Sequence, residues 1–425
     1  MKIIARRQPV VFLIAGEPSG DAIGARLMTA IRREHSAGTG IEFLGIGGRK
    51  MAAAGLQPLF SIDELSVMGF AELLPALPRL VRRFWQTTAA IRAAKPDVVV
   101  GIDSKAFCLR VLGALAADRQ RPALVQYVAP SAWAFADAPS RAAKLAGNVD
   151  ELFTLLPFEA GLFEAAGVPC TFVGHPTNDD DDDDDGIMDA GFTPAPSTGS
   201  SALCLLPGSR RQEVNSNLPH MLRASEGLLA EPLGAGLSRV LLPAPASLRP
   251  LIEAHLRASP VGVEVCSSEH RYAAYRASRL ALACSGTVNL ELARARVPQV
   301  AVYASTRLTS AIVRHILRPT VPFATLPNIL NHRRRSGREV WEAGARRDGG
   351  RDAEITGRIP ELLFEECTAR GILAAATPLL TDANVAAAQV EASARALEDL
   401  VAARDDEGRA VPSATLAARA LLKYL

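Results

Sequence analysis

Two short segments carry residues whose types and spacing suit a phosphorylated ligand. In Leu205-Leu206-Pro207-Gly208-Ser209-Arg210-Arg211-Gln212-Glu213-Val214 an apolar run enters a glycine turn followed by two arginines. Gly208 lets backbone approach an anion closely, Ser209 offers a hydroxyl, and Arg210 offers a planar fork of donors matched to phosphate. A diphosphate site is the favoured reading, and an ordinary strand-to-helix turn with surface arginines is the alternative. In Ala283-Cys284-Ser285-Gly286-Thr287-Val288-Asn289-Leu290-Glu291 an apolar run ends in Ser-Gly-Thr and opens a helix. Free backbone N–H groups and the positive helix end would face a phosphate, and Glu291, just over one turn into the helix, could accept from ribose hydroxyls. Ser-Gly-Thr is also a common helix cap.

Two acids stand where apolar runs end: Glu17 in Gly16-Glu17-Pro18-Ser19-Gly20-Asp21, and Asp103 in Gly101-Ile102-Asp103-Ser104. In doubly wound sheets ligands bind at the C-terminal strand edge, so both are candidates for chemistry. Helix capping, which Asp21 and Ser104 could also serve, is the alternative. Gly16, Gly20 and Gly24 follow a GxxxGxxxG spacing that differs from the dinucleotide fingerprint, which argues against NAD. The seven aspartates at 179–185 read as solvated charge without fixed metal geometry.

The elements that position these residues alternate. Val10–Ala15, Asp97–Ile102 and Ala123–Val128 are short apolar runs closed by turn residues, the mark of buried parallel strands, and helical spacing follows the first over Ala22–Arg33. The pattern restarts with Ala202–Leu206, Arg239–Leu242, Leu280–Ala283 and Gln299–Tyr303. An α/β chain of two Rossmann-type, doubly wound domains facing a cleft is expected: residues 1–177, an acidic and Pro/Ser-rich linker at 178–200, a second domain at 201–375 with a loop insertion at 336–358, and C-terminal helices at 376–425. Leu65–Trp85 sets Leu73, Leu74, Leu77, Leu80, Val81, Phe84 and Trp85 beside Arg79, Arg82 and Arg83. That pattern suits either an anionic lipid surface or acyl chain, or a core helix kinked at Pro75 and Pro78.

Composition narrows the classes. The chain has 425 residues, 47 basic against 45 acidic for a net charge of +2, and 48% hydrophobic residues, so no global field draws it to nucleic acid. Six cysteines without CxxC spacing read as reduced, buried thiols. No run of about 18 uncharged apolar residues marks a membrane-spanning helix. The basic Met1–Gln8 is too short for a signal peptide, and a removed transit peptide is left open.

In order along the chain, Gly16-Glu17-Pro18-Ser19-Gly20-Asp21, Val67-Met68-Gly69, Gly101-Ile102-Asp103, Tyr127-Val128-Ala129-Pro130-Ser131-Ala132-Trp133-Ala134, Phe172-Val173-Gly174-His175-Pro176, Leu206-Pro207-Gly208-Ser209-Arg210, Ser285-Gly286-Thr287 and Leu326-Pro327-Asn328-Ile329-Leu330 resemble the lipid-A-disaccharide synthase family of glycosyltransferases. Ser104-Lys105-Ala106-Phe107 is similar to the plant and algal type, where bacterial members usually have Ala-Pro-Asp-Phe. The resemblance implies a GT-B-like fold and transfer of a 2,3-diacylglucosamine unit from UDP to 2,3-diacylglucosamine 1-phosphate. The β(1→6) link would form with inversion, without metal or cofactor. It implies Asp103 as base, Glu17 orienting the acceptor or sharing that role, and Ser19, Gly208, Ser209, Arg210, Ser285, Gly286, Thr287, Glu291 and Asn328 as substrate or UDP contacts. Peripheral membrane contact is expected and no nucleic acid; a homodimer is left open. The compartment would be the cytoplasmic face of the inner membrane in a bacterium, and a mitochondrion or other organelle in a plant or alga. Rival readings are another UDP-sugar enzyme, namely an N-acetylglucosaminyltransferase or UDP-N-acetylglucosamine 2-epimerase, and a silent UDP- or glycolipid-binding scaffold.

Overall fold

In the computed structural model the described residues are 7–35, 40–65, 70–179, 202–230, 236–305, 310, 321, 323–336 and 357–425. Val67-Met68-Gly69, nearly all of the expected linker and most of the expected insertion lie outside them.

The first unit gathers Met1–Trp133, Asp137–Asp179 and Leu400–Leu425. Its sheet contains β1 (Val10–Ala15), β2 (Glu42–Ile46), β3 (Gln57–Pro58), β4 (Val98–Ile102), β5 (Ala123–Tyr127), β6 (Glu151–Thr154) and β7 (Cys170–Phe172) in the order β3-β2-β1-β4-β5-β6-β7. Every pairing is parallel. β1 and β4 are buried along their whole length because helices cover both faces, which is why each reads as unbroken apolar sequence.

The second unit gathers Ala134–Ala136 and Asp180–Asp399. It repeats the plan with β8 (Ala202–Leu206), β9 (Arg239–Ala244), β10 (Glu264–Ser267), β11 (Ser278–Cys284), β12 (Gln299–Tyr303) and β13 (Glu361–Leu363) in the order β10-β9-β8-β11-β12-β13. In both sheets the winding reverses beside the first strand, between β1 and β4 and between β8 and β11. Ligands of doubly wound sheets sit at that reversal, outside the carboxyl ends of the strands.

The expected C-terminal segment 376–425 is not one unit. Ala383–Glu398 belongs to the second unit, whereas Leu400–Leu425 returns to the first, where Ala414, Ala417, Ala418 and Leu421 are buried in the core beneath β1 and β4. Asp179 corrects the reading of a wholly solvated acidic run: it is 5% exposed and accepts from the amide and hydroxyl of Ser413 at 2.6 and 2.9 Å. It thereby caps the helix Ser413–Leu421, a bond that also suits the positive helix end. Glu151, also buried, binds that C-terminal segment through Lys423 at 2.9 Å and the Tyr424 hydroxyl at 3.1 Å.

The helix Phe70–Ala94 runs through both Pro75 and Pro78. Leu77, Val81 and Trp85 are 50, 47 and 61% exposed and recur every fourth residue, so they form one apolar row on the helix surface. Arg79 and Arg82 are exposed on the same helix, whereas Arg83 is turned to Glu64, its Nε donating at 2.6 Å. Among the described residues no single helix is long and apolar enough to cross a membrane, and all six cysteines are free of disulfides, four of them buried and Cys170 and Cys266 half-buried.

Candidate active site

In the first unit the pairing of Ala15 with Ile102 brings the loop after β1 beside the end of β4. The Ser19 hydroxyl donates to Asp103 Oδ2 at 3.0 Å, so two predicted residues meet there. Asp103 has a φ of +54°, and Val128, at the end of the neighbouring β5, has +75°. Left-handed backbone is tolerable for Asp but unfavourable for a β-branched residue, at a cost on the order of 1–3 kcal/mol. Such strain concentrates where a side chain must be aimed. Gly16 is demanded by sterics here, since a Cβ would stand 2.2 Å from Ser104 Oγ.

The capping alternatives resolve in part. Glu17 occupies the N-cap of the helix Pro18–Glu34 without a side-chain cap bond and is half-buried. Ser104 makes no side-chain cap bond either. Asp21 is 6% exposed and accepts from the amides of Gly48, Lys50 and Met51 at 2.7, 3.0 and 3.0 Å, so it holds the start of the helix Arg49–Ala53.

Three residues that pattern alone missed shape this edge. The Gln126 amide, fully buried, donates to the carbonyls of Asp103, Tyr127 and Val128 at 3.2, 3.2 and 3.3 Å. Glu159 accepts from Trp133 Nε1 at 2.9 Å and from the amides of Leu155 and Leu156, which fastens the Trp133 end of the Tyr127–Ala134 motif. In the Gly174-His175-Pro176 motif, His175 Nδ1 accepts from the Thr177 amide at 3.1 Å, and burial holds the imidazole down at about 4. The ring is thus neutral, with its proton on Nε2.

In the second unit Leu206 pairs with Ala283, so the Gly208 and Ser285 loops leave neighbouring strands at the reversal. The first loop is already organised around an anion. Glu213 Oε2 accepts from the amides of Ser209 and Arg210 at 2.9 and 3.2 Å, while Oε1 accepts from Arg210 Nη1 at 2.9 Å. Gly208 has a φ of +125°, and a Cβ there would stand 2.5 Å from Glu213 Cβ, so only glycine admits the carboxylate. The amides of Ser209 and Arg210 are thus taken by Glu213, and the Arg210 guanidinium, whose side chain is 55% exposed, is the reaching group. A Glu three residues into a helix is the sequence signal that announces such a cap.

At the second loop Gly286 donates to Asn289 Oδ1 at 2.9 Å and Ser285 to the Val302 carbonyl at 3.0 Å. Thr287 and Val288 are left as the helix-start amides with no acceptor among the described residues, and the space beside Gly286 is open. Asn289 is anchored in a fully buried chain: its Nδ2 donates to Gln299 Oε1 at 2.8 Å, and Gln299 N donates to Gln389 Oε1 at 2.6 Å. One turn on, Glu291 Oε2 accepts from Arg271 Nε at 3.1 Å and from the Tyr275 hydroxyl at 3.0 Å, which fixes the carboxylate's orientation.

Asn328 lies in the first turn of the helix Leu326–Ser336. It is 5% exposed; its Nδ2 donates to the Ile359 carbonyl and Glu361 Oε1 at 2.9 and 2.8 Å, and its Oδ1 accepts from the Ile359 amide at 3.0 Å. With both donors engaged, the side chain ties residues 359–361, at the start of β13, to the helix Leu326–Ser336.

Two doubly wound parallel sheets, each with its loops gathered at the reversal, define an α/β protein of the GT-B class. Solved structures of that class match along nearly the whole chain. A UDP-bound MnaA from S. aureus has a TM-score of 0.57 at 12% identity, covering 98% of this chain and 96% of its own. A spinosyn rhamnosyltransferase complexed with thymidine diphosphate has a TM-score of 0.55 at 15% identity, covering 98% and 100%.

The lipid-A-disaccharide synthetase family model matches residues 11–338. Lipid-A-disaccharide synthase from Rhodospirillum centenum is 38% identical over 90% of this chain and 88% of its own, and that from Paramagnetospirillum magneticum is 35% identical over 96% and 97%. The chain belongs to the lipid-A-disaccharide synthetase family, and it is a glycosyltransferase.

Proposed function

We propose that the chain condenses UDP-2,3-diacylglucosamine with 2,3-diacylglucosamine 1-phosphate into the β(1→6)-linked disaccharide 1-phosphate of lipid A, releasing UDP. Asp103 removes the proton of the acceptor 6-hydroxyl as that oxygen attacks the anomeric carbon from the face opposite the diphosphate. The carbon–oxygen bond to the diphosphate breaks with its electron pair, and the configuration inverts. Glu17 orients the acceptor. Arg210, Ser209 and the start of the helix Val288–Arg294 take up the negative charge that develops on UDP, which makes the step independent of metal. Glu291, steadied by Arg271 and Tyr275, receives the ribose hydroxyls.

The observation that carries the catalytic assignment is the half-buried Asp103 at the β1/β4 reversal, on left-handed backbone and bonded to Ser19. The row Leu77, Val81 and Trp85 with Arg79 and Arg82 supports peripheral contact with an anionic membrane, where both substrates reside. The bacterial relatives favour the cytoplasmic face of the inner membrane over an organelle. Light scattering decides between a monomer and a homodimer.

The deciding experiment incubates the protein with both substrates in excess chelator and detects the tetra-acyl disaccharide 1-phosphate by mass. Absence of that product refutes the proposal. Turnover of UDP-N-acetylglucosamine without acceptor would establish the epimerase reading, and restored dependence on Mg²⁺ or Mn²⁺ would overturn the metal-independent step.

A further inference from the structure

We infer that Gln126 is a positioning residue for the transfer step: its buried side-chain amide holds the ends of β4 and β5 in the left-handed conformations from which Asp103 is presented. The inference rests on the reading of Asp103 as the base.

Gln126 is fully buried, and its Nε2 lies within 3.2 to 3.3 Å of three carbonyl oxygens, those of Asp103, Tyr127 and Val128. An NH₂ group is required there, because an oxygen in its place would face three acceptors; this fixes the amide orientation chemically. Two of those carbonyls belong to Asp103 and Val128, the residues with φ of +54° and +75°. The third, on Tyr127, also accepts from the Asp103 amide at 3.0 Å. Strained conformations persist only where the surroundings over-determine them, and this amide binds both at once. A residue merely filling the core would not need a polar head, and the cost of this one is visible: Oε1 is buried with no partner among the described residues.

Gly101 completes the device. A Cβ there would stand 2.7 Å from Gln126 Oε1 and 2.9 Å from Cys108 Cβ, so a larger residue would drive the amide off its carbonyls. The glycine of the Gly101-Ile102-Asp103 motif thus makes room for the group that holds Asp103, two residues further on.

The test compares Gln126→Met, of nearly equal volume but without donors, with Gly101→Ala, which displaces the same amide from the other side. Both are measured alone and in an Asp103→Asn background. Expected results for Gln126→Met are cooperative unfolding, UDP affinity within twofold of the parent, kcat lowered about 10- to 100-fold and KM changed less than threefold. Gly101→Ala should follow in the same direction. In the Asp103→Asn background, Gln126→Met should change the residual rate less than twofold, because its effect passes through the missing carboxylate. A general packing role would depress the rate by the same factor in both backgrounds, and that result overturns the inference. So does undiminished kcat in Gln126→Met while Asp103→Asn is inactive. If Asp103→Asn itself keeps near-normal turnover, the base assignment fails first and the positioning role falls with it.

Discussion

Arg210 and Glu213 make opposite demands on the nucleotide, and the geometry of their loop separates them. Glu213 uses one oxygen for the amides of Ser209 and Arg210 and the other for the Arg210 guanidinium. Removing Arg210 therefore leaves the loop's cap in place. The pair joins side chains 55% and 13% exposed, so its loss should cost about 0–1 kcal/mol of stability. One charge-assisted contact to the diphosphate is worth about 1.5–3 kcal/mol, so Arg210→Ala should raise the UDP Kd roughly 10- to 150-fold. Glu213→Gln keeps an acceptor for the two amides while removing the negative charge that partly neutralises Arg210. It should tighten UDP binding about two- to fivefold at low salt, an effect that fades as salt rises.

Isothermal titration of UDP at low and moderate salt, with thermal melts of each variant, provides the measurement. The signature is one variant weakened, one strengthened, and both folded. An Arg210→Ala Kd within twofold of the parent moves the diphosphate away from this loop. Weaker binding by Glu213→Gln would refute the argument that the carboxylate competes with the ligand for Arg210.

The remaining predictions concern stability. Burial holds His175 at about 4 against an ordinary value near 6.5, so between those limits the unfolded chain takes up a proton that the native state refuses. The stability this neutral ring supplies is complete above about pH 6.5 and is lost as pH falls toward 4; urea unfolding should show about 2–2.5 kcal/mol lost between about pH 7 and 4.5. That slope should be absent from His175→Asn, and an equal slope in both proteins refutes the assignment. Lys423→Met with Tyr424→Phe strips the 5%-exposed Glu151 side chain of two partners and should lower stability by about 1–3 kcal/mol, given that Lys423 is itself 55% exposed. Adding Glu151→Gln should recover at least half of that loss, and no recovery would show that the buried charge is not its cause.

The sequence made the sheets' centres legible and their edges obscure, for one physical reason. β1, β4, β5, β8, β11 and β12 are covered on both faces and so appear as apolar runs, whereas β3 is the exposed dipeptide Gln57–Pro58 and β7 and β13 are three residues each. Too few side chains are buried there to mark a pattern. The return of Leu400–Leu425 to the first unit was equally hidden, since a helix's apolar face records that it is buried and not which sheet buries it.

A similar asymmetry divides the site. Glu17, Asp103, Arg210 and Ser285 announced themselves because each follows an apolar run at a turn. Gln126, Asn289, Gln299 and Gln389 are all buried, and their partners include backbone groups or amides as far as 90 residues away. A polar residue in such a place is indistinguishable by type from a surface one; only the accounting of buried donors and acceptors reveals it. Asn328 is similar: its donors are taken by the Ile359 carbonyl and by Glu361, more than 30 residues away, a pairing that no local pattern announces. The residues that touch the ligand and those that hold the loops in place therefore respond to different measurements. Loss of Arg210 should appear in affinity with the fold intact, loss of Gln126 in turnover with affinity intact, and loss of Asn328 in stability before either. A scan reading activity alone would assign all three to the active site.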